Sequence, residues 1–354
     1  MKKLFTILIA TAMMFSVAAC GTSASTNETP GAISEGGAEL APTDSENMPV
    51  TIRFSEESAD DHPLTQGALK FKELLEAADV NITVEVFPNG TIANELSALE
   101  MVQLGTLDMT MCSTSTFANF VGAYNVFDLA YMITDEDMAD AILLGDFGDE
   151  MRTRCAEANM VGVAFWENGF RNLTSNAKIE SIEDFKGLKI RTMENAMHMA
   201  AWQTIGTDPT PMAFTELYTS LQQNVVDGQE NPYANIVLNG FYDVQEYFYT
   251  TRHVYTPMLV VFSQDVWNTL SAEQQEAIYE AGYSAGIYER EVNRSLNDEY
   301  ASTLKEKMEY IEISDQLREE LIENMTSVTP QFEDIIGADV LAAYHEAIDT
   351  YLNG

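Results

Sequence analysis

The chain has 354 residues, with 18 Lys and Arg against 56 Asp and Glu, which gives a formal net charge of −38. Proteins that bind nucleic acid neutralise its phosphates with Lys and Arg, so this charge excludes nucleic acid as a partner. Apolar residues make up 46% of the chain and aromatic residues 10%, which is too much apolar surface for a disordered protein. The length predicts about two domains.

The N-terminus has the pattern of a processing signal. Lys2 and Lys3 precede an apolar stretch, Leu4–Ala12, that is too short to span a bilayer, and this pattern predicts a secretory signal peptide over residues 1–19. The following Val-Ala-Ala-Cys resembles a bacterial lipobox. That resemblance implies cleavage before Cys20 and a lipid on its sulfur; the alternative is an ordinary signal peptide with a chance cysteine.

Residues 20–48 predict a flexible spacer after the lipidated cysteine, since they are mostly Ser, Thr, Gly, Ala, Pro and Glu and offer little to bury. We therefore expect an exported protein, held by lipid at the outer face of the cell membrane or in the periplasm. No later stretch reaches 18 uninterrupted apolar residues, so no membrane span is predicted. Apart from Cys20, the only cysteines are Cys112 and Cys155, which allow one disulfide at most.

The body of the protein begins with alternating strand and helix patterns. One predicted helix face carries Leu64, Ala68, Phe71, Leu75 and Ala78 at spacings of three and four. In chain order, the predicted elements are strand Val50–Phe54, a helix from Pro63, strand Ile82–Phe87, a helix ending at Gly105 and strand Leu107–Cys112. This order predicts a parallel sheet with helices on its faces. In such sheets ligands bind at the carboxyl ends of the strands.

A similar unit follows a connection around Val161–Phe170. Its predicted elements are strand Leu188–Thr192, helix Ala196–Ile205, a Pro-bounded segment Asp208–Met212, helix Thr215–Gln223 and a turn Val226–Gln229. Arg252–Ser263 is β-branched and aromatic and is expected to return to the first unit. From Ala272 to about Met308 the pattern is helical without Pro, which is long enough to pack across both units.

The predicted fold class is therefore α/β, with two lobes joined by more than one crossing, an organisation typical of hinged binding proteins. The first lobe is assigned residues 49–165 and about 253–270, and the second lobe about 166–252. Residues 271–354 are expected to form the long helix and further helices that span both lobes.

No catalytic or metal motif stands out, so no cofactor and no metal is predicted. The chain lacks His-Glu-x-x-His, Gly-x-Ser-x-Gly and a phosphate-binding glycine loop, and it has four histidines. Asp135–Asp137 lacks the ligand spacing of a calcium loop and is interpreted as a solvated helix start. Met193, Met197, His198 and Met199 leave soft copper ligation open, but methionine as flexible core filler is favoured.

The strongest signal is a long motif in the second unit. It comprises residues 187–193 (GLKIRTM), 205–222 (IGTDPTPMAFTELYTSLQ) and 226–232 (VDGQENP). Upstream segments belong with it: His62-Pro63, Val86–Gly90, Leu104–Asp108 and Asn168–Asn176. Together they resemble the solute-binding proteins of tripartite ATP-independent periplasmic (TRAP) transporters, the DctP-type family, over about residues 50–310. The resemblance implies a two-lobe periplasmic-binding-protein architecture, similar to type II.

Arg191 is the leading candidate for a ligand contact. It stands at the carboxyl end of a predicted strand, and its guanidinium is a rigid fork that matches a carboxylate. In the family, the arginine at this position binds the ligand carboxylate. The resemblance further implies that Arg171 is a second polar contact, that Asn231 hydrogen-bonds the same end of the ligand, that Phe214 packs on its carbon skeleton and that Ser113 contributes from the first lobe.

Each assignment has a structural alternative. For Arg191 the alternative is an ordinary surface charge, and for Arg171 it is an ion pair with a carboxylate of its own lobe. For Asn231 with Pro232 it is a simple turn, and for Phe214 it is a place in the core.

Two departures from the family pattern leave the ligand open. Met193 stands where a proline is common, and Ala93 stands where a glycine is common. A family member with Glu at the position of Ser113 uses it against a polar ligand group, which is not available here. The candidates are C4-dicarboxylates, sugar acids, 2-hydroxy or 2-oxo acids and aromatic acids.

The expected function is that of an extracytoplasmic receptor that closes on an organic acid and delivers it to a permease. The resemblance implies a small and a large integral membrane subunit as partners, with uptake driven by an ion gradient, usually sodium. No catalysis is expected. The alternatives are a sensing protein for a receptor kinase and an exported enzyme that acts on a small acid.

Overall fold

The computed structural model describes residues 48–354. The predicted signal peptide, Cys20 and nearly all of the spacer lie outside the described residues. The strands are β1 Val50–Ser55, β2 Ile82–Phe87, β3 Met109–Ser113, β4 Met160–Phe170, β5 Asn172–Ser175, β6 Lys189–Thr192, β7 Asp208–Pro211, β8 Gly228–Asn231, β9 Tyr247–Tyr249, β10 Tyr255–Ser263 and β11 Glu309–Ile311.

The helices are α1 Pro63–Ala77, α2 Glu95–Gln103, α3 Thr114–Phe117, α4 Glu136–Leu143, α5 Asp146–Thr153, α6 Ala196–Thr204, α7 Leu217–Gln222, α8 Tyr233–Leu238, α9 Gln264–Trp267, α10 Ala272–Lys307, α11 Asp315–Thr326, α12 Thr329–Ile336 and α13 Ala338–Asn353. Short 3-10 helices occur at Gly122–Asp128, Arg154–Ala158, Ile182–Phe185, Phe214–Glu216 and Phe241–Asp243.

The strands form two mixed sheets, which confirms the two-unit α/β prediction. The first sheet has the order β2-β1-β3-β10-β4 and the second the order β11-β9-β5-β8-β6-β7. Strands β1, β2 and β3 are parallel, as predicted. Strand β10 returns to the first sheet, also as predicted, but it runs antiparallel to β3 and β4. The sheet is mixed because the chain enters β10 at the edge of the sheet where β3 and β4 end.

Two chain crossings connect the sheets at one place. Strand β4 passes through Arg171 directly into β5, and residues 250–254 lead from β9 back to β10. The Arg171 amide donates a hydrogen bond to the carbonyl of Val254 at 3.0 Å. The two crossings are therefore tied together, and a predicted site residue lies at the junction of the lobes.

The long helix α10 confirms the prediction of a continuous helix that contacts both lobes. It has 36 residues and begins at a capping box formed by Ser271 and Gln274, and a helix of this length extends about 54 Å. It packs on α1 and β4 beside the first sheet and on α8 and β11 beside the second. Among the C-terminal helices, α11 packs on α6 and α13 on α4. The proposed domain boundaries stay a prediction.

Two local expectations differ from the structure. The turn expected at Val226–Gln229 ends earlier, because Gly228–Asn231 is strand β8 in the interior of the second sheet. This strand reads Gly-Gln-Glu-Asn and lacks the apolar residues by which interior strands are recognised. The helix expected from Thr215 starts instead as a 3-10 turn at Phe214–Glu216 before α7.

Three further observations bear on the sequence predictions. Cys112 and Cys155 are buried free thiols. Asp135 caps α4 by accepting a hydrogen bond from the Met138 amide at 2.8 Å, which confirms the helix-start interpretation. None of the helices between residues 48 and 354 combines the length and apolarity needed to cross a membrane.

Close packing of α10 depends on glycine. The Trp166 indole donates a hydrogen bond to the Gly282 carbonyl at 3.0 Å, and a Cβ at Gly286 would lie 2.6 Å from Trp166 Cδ1. Glycine in a helix interior costs about 1 kcal/mol relative to alanine. The close approach of the helix to Trp166 offsets that cost.

We expect Gly286→Ala to destabilise the protein by about 1 to 3 kcal/mol, because the added methyl group overpacks the contact with Trp166. Urea unfolding followed by circular dichroism measures the change. Ser302→Ala on the exposed side of α10 is the matched control and should change stability by less than about 0.5 kcal/mol. Equal stability of Gly286→Ala and wild type would contradict the packing argument.

Candidate functional site

A cavity lies between the two sheets, at the carboxyl ends of β1, β3, β6 and β8. All five residues predicted for the ligand site line it: Ser113, Arg171, Arg191, Phe214 and Asn231. Their contact with a ligand stays a prediction. The space open to the centre of a water molecule is about 50 Å³, whereas one water needs roughly 10 to 15 Å³. The cavity therefore has room for several waters or a small molecule.

Topology explains why residues so distant in sequence meet here. Arg191 is the third residue of β6, and Asn231 is the last residue of the parallel strand β8. Arg171 precedes β5, which runs antiparallel to β8 with Asn172 opposite Asn231. The beginning of β5 thus lies at the same edge of the sheet as the end of β8. Ser113 ends β3 in the facing sheet.

Arg191 presents a buried and partly unused guanidinium. The residue is 3% exposed, and its Nε and Nη2 donate to the Met212 carbonyl at 3.1 and 2.8 Å. No hydrogen bond from the described residues reaches its Nη1. Burial, with repulsion from Arg171, lowers the pKa of Arg191 to about 10, so the group is still cationic at neutral pH. The alternative of an ordinary surface charge is excluded by this burial.

Arg171 is committed to a buried ion pair. Its Nε and Nη2 donate to the two carboxylate oxygens of Glu230 at 2.5 and 2.9 Å, and both side chains are almost fully buried. His253 Nε2 lies 3.0 Å from the same carboxylate. Burial by itself raises the pKa of Glu230, but Arg171 and His253 outweigh it and hold that pKa well below its usual range. The alternative considered for Arg171, pairing with a carboxylate of its own lobe, is thus observed.

Asn231 continues this polar cluster toward the cavity. Its Oδ1 accepts from Arg171 Nη2 at 3.2 Å, and its Nδ2 donates to the Gln229 side-chain oxygen at 2.5 Å. Gln229 donates in turn to Thr174 Oγ1 at 3.0 Å. The polar side chains of β8 are buried because these hydrogen bonds satisfy them.

The hydroxyl of Ser113 is occupied by a neighbouring carboxylate. Ser113 Oγ donates to Glu95 Oε2 at 2.8 Å, and the Ser113 amide donates to Glu95 Oε1 at 3.0 Å. Thr116 Oγ1 also donates to Glu95 Oε2, at 2.7 Å. Glu95, which was not predicted as a site residue, therefore lies next to Ser113 at the cavity.

A second carboxylate, that of Glu57, lines the same side of the cavity. Its Oε1 accepts from the Glu95 amide at 2.7 Å. Burial, followed by repulsion from Glu95, raises the pKa of Glu57 to about 8. At neutral pH Glu57 therefore retains a proton, and it can donate a hydrogen bond as well as accept one.

Phe214 forms part of the apolar side of the cavity. It is half-buried and lies near Arg191, whose guanidinium carbon is 6.0 Å from the ring centre. On its other side Phe214 packs edge-on against Phe241, with ring centres 6.0 Å apart. It thus combines the core contact and the cavity position that the sequence left as alternatives.

Hydrogen bonds also join the two sides of the cleft away from the arginines. His62 caps α1 by accepting from the Leu64 amide at Nδ1, and its Nε2 lies 3.3 Å from Asn235 Oδ1 in α8. Because Nδ1 accepts, the neutral ring carries its proton on Nε2 and donates to Asn235. Asn195 donates to the Ser115 carbonyl at 2.9 Å.

Two of the methionines that left copper ligation open occupy buried positions. Met193 and Met197 are buried among apolar side chains or at the cavity edge, which fits the core-filler interpretation. In residues 48–354 no three His, Cys, Asp or Glu side chains are arranged to hold a metal ion.

Comparison with known proteins places this architecture in a family. Residues 54–334 match the family model described as "DctP: Bacterial extracellular solute-binding protein, family 7". The chain belongs to this family. The match covers both lobes, the cavity and the long helix.

Relatives of this family 7 protein have names that describe bound acids. It is 31% identical over 306 residues to the 2,3-diketo-L-gulonate-binding periplasmic protein YiaO of Escherichia coli, covering 84% of this chain and 92% of the relative. It is 30% identical over 303 residues to the C4-dicarboxylate-binding periplasmic protein DctP of Rhodobacter capsulatus, covering 84% and 91%.

A solved family structure has the same fold. The sugar acid binding protein DctPAm of Advenella mimigardefordensis, in complex with galactonate, superposes with a TM-score of 0.82 at 30% identity. The superposition covers 85% of this chain and 98% of that protein. This confirms the predicted two-lobe periplasmic solute-binding fold.

Several polar groups that border the cavity of this family 7 protein were not predicted from the sequence, among them Glu57, Glu95 and Asn168. Glu230, the partner of Arg171, was not predicted either. A signal for two of them exists, since Glu57 lies just after the predicted first strand and Glu95 lies between the predicted strand Ile82–Phe87 and the helix that ends at Gly105. In such sheets ligands bind where the strands end. Glu230 lies within the quoted motif, but its burial depends on the unpredicted strand β8.

Glu230→Gln should destabilise the protein by about 3 to 5 kcal/mol, because it leaves Arg171 as a buried unpaired cation. The free energy of unfolding in urea measures this. Glu309→Gln, which removes one of the two partners of the exposed Lys178, is the control and should cost much less than Glu230→Gln. Similar small losses in both variants would show that the buried pair is unimportant for stability.

His62 predicts a pH dependence of stability. Burial, only partly offset by the bond to Asn235, lowers its pKa from 6.5 to about 4. Between these values the unfolded chain binds the proton and the folded chain does not, so stability falls as the pH decreases. The slope approaches about 1.4 kcal/mol per pH unit.

We expect wild type to lose roughly 2 kcal/mol more than His62→Asn between pH 7.5 and pH 5, measured by urea unfolding. Asparagine preserves a neutral helix cap. His345→Asn, at an exposed position of α13, should follow the wild-type profile. Parallel stability profiles against pH for wild type and His62→Asn would contradict the lowered pKa of His62.

Proposed function

We propose that the protein is the extracytoplasmic solute-binding receptor of a TRAP transporter and that it captures an organic acid through Arg191. The observation that carries the proposal is the buried Arg191 guanidinium, which lines the cavity with Nη1 available. A buried cation is stabilised by an anionic partner that makes hydrogen bonds to it. A ligand carboxylate supplies both.

The family relationship supports an acid as the ligand. The names of two relatives specify 2,3-diketo-L-gulonate and C4-dicarboxylates, and a solved relative holds galactonate. All of these are carboxylates or sugar acids. In the proposed complex Asn231 and Arg171 lie at the carboxylate end, Phe214 packs on the carbon skeleton and Ser113 borders the opposite side.

Closure of the lobes would then signal to the membrane subunits that a ligand is bound. The two crossings and α10 join the lobes, and a ligand that contacts both sides favours the closed arrangement by its differential affinity for that form. The closed form is proposed to dock on the small and large membrane subunits, which use an ion gradient. Export, anchoring through Cys20 and the absence of catalysis belong to the same proposal.

The test is Arg191→Met with galactonate as the first probe and succinate as the second, measured by titration calorimetry. Loss of a buried charge-assisted contact should weaken binding by about 2 to 5 kcal/mol, or roughly thirtyfold and more. Lys189→Met, which removes an exposed cation from the same strand, should leave affinity within about twofold. Unchanged binding by Arg191→Met would refute the proposed role of Arg191.

A further inference from the structure

Among the described residues, the cavity has one cation that makes no hydrogen bond to a carboxylate. Its cationic lining residues in the described chain are Arg171 and Arg191. Arg171 is neutralised by Glu230 through two hydrogen bonds, whereas Arg191 is hydrogen-bonded only to a carbonyl, that of Met212. One ligand carboxylate is sufficient to satisfy Arg191.

The surroundings of that cation are acidic and rich in hydrogen-bond acceptors. Glu57, Glu95 and Glu194 also line the cavity. Glu95 accepts hydrogen bonds from Ser113 and Thr116. Glu57 is held by one hydrogen bond, from the Glu95 amide to its Oε1. No described residue donates a hydrogen bond to its Oε2.

Asn168 adds an unsatisfied polar group. It is 6% exposed, lines the cavity and has an Oδ1 that accepts no hydrogen bond within residues 48–354. Buried acceptors without partners are rare in folded proteins and are usually satisfied by water or by a ligand. We call Glu57, Glu95 and Asn168 together the acceptor wall.

We infer that the acceptor wall makes the protein selective for a monocarboxylate that carries hydroxyl groups, and that it disfavours a dicarboxylate. The inference rests on the proposed function, because it assumes that Arg191 holds the first carboxylate. Arg191 alone does not distinguish among acids, and the inference assigns this selectivity to the acceptor wall.

Hydroxyl groups match the acceptor wall because they donate hydrogen bonds to carboxylate and amide oxygens and carry no charge. A second ligand carboxylate has no donor hydrogen and would face Glu95 in a partly buried cavity, where like charges repel strongly. The proton held by Glu57, whose pKa is raised to about 8, supplies at most one donor. An unsubstituted acid would offer no hydrogen-bond donor to the acceptor wall.

Four acids with the same four-carbon chain separate charge from hydroxyl groups: butyrate, D-erythronate, succinate and tartrate. Titration calorimetry of the wild-type protein at pH 7.5 should give D-erythronate the tightest binding, by at least about tenfold over each of the others. Binding of succinate or tartrate as tight as that of D-erythronate would overturn the inference, as would equal binding of butyrate.

A charge-neutral acceptor wall provides the second test. The double variant Glu57→Gln with Glu95→Gln should reduce the preference for D-erythronate over succinate by about tenfold. The double variant Glu85→Gln with Glu100→Gln removes two exposed carboxylates from the neighbouring elements β2 and α2 and should retain the wild-type preference. An unchanged preference in the first variant would overturn the role of the acceptor wall.

The outcomes distinguish this inference from the proposed function. If acids bind with a requirement for Arg191 but dicarboxylates are preferred, the inference fails and the receptor function stands. If none of the four acids nor galactonate binds, the receptor function fails and the inference fails with it. Should the double variant not fold, the comparison of the four acids on wild type decides by itself.

Discussion

The arrangement of the cleft depends on the buried ion pair between Arg171 and Glu230. Arg171 stands where β4 passes into β5, and His253, in the returning crossing, contacts the same carboxylate. A buried charge must be paired and hydrogen-bonded to be tolerated. This requirement fixes the position of β8 against both crossings, and with it the edge of the second sheet at which Asn231 and Arg191 lie.

The same pair determines the electrostatics of the cavity. Since Arg171 is neutralised, Arg191 provides the positive charge, and the carboxyl groups of Glu57 and Glu95 lie in the same cavity. The net charge of −38 opposes the approach of an anion, although salt limits that effect to about 8 Å. A local reversal of sign, protected by burial, is therefore the physical basis that we propose for binding an acid in so acidic a protein.

In the proposed mechanism, closure relies on contacts that are separate from this electrostatic centre. His62 and Asn235 meet across the cleft, Asn195 reaches the carbonyl of Ser115, and α10 packs beside both sheets. These groups connect elements of the two lobes without occupying the cavity. A mutation in them is expected to change the proposed balance between open and closed forms while the groups proposed to contact the ligand remain intact.

The sequence by itself determined the elements with local periodicity, from β1 to β3, and the long helix α10, because their apolar spacing is set by the geometry of each element. The quoted motifs also determined which side chains meet at the strand ends, including Arg191 and Asn231. Only the tertiary structure decided that Arg171 pairs with Glu230 and that Glu57 lies against Glu95. These contacts join residues 59 and 38 positions apart, and no local pattern records them because they depend on how the strands cross between the sheets.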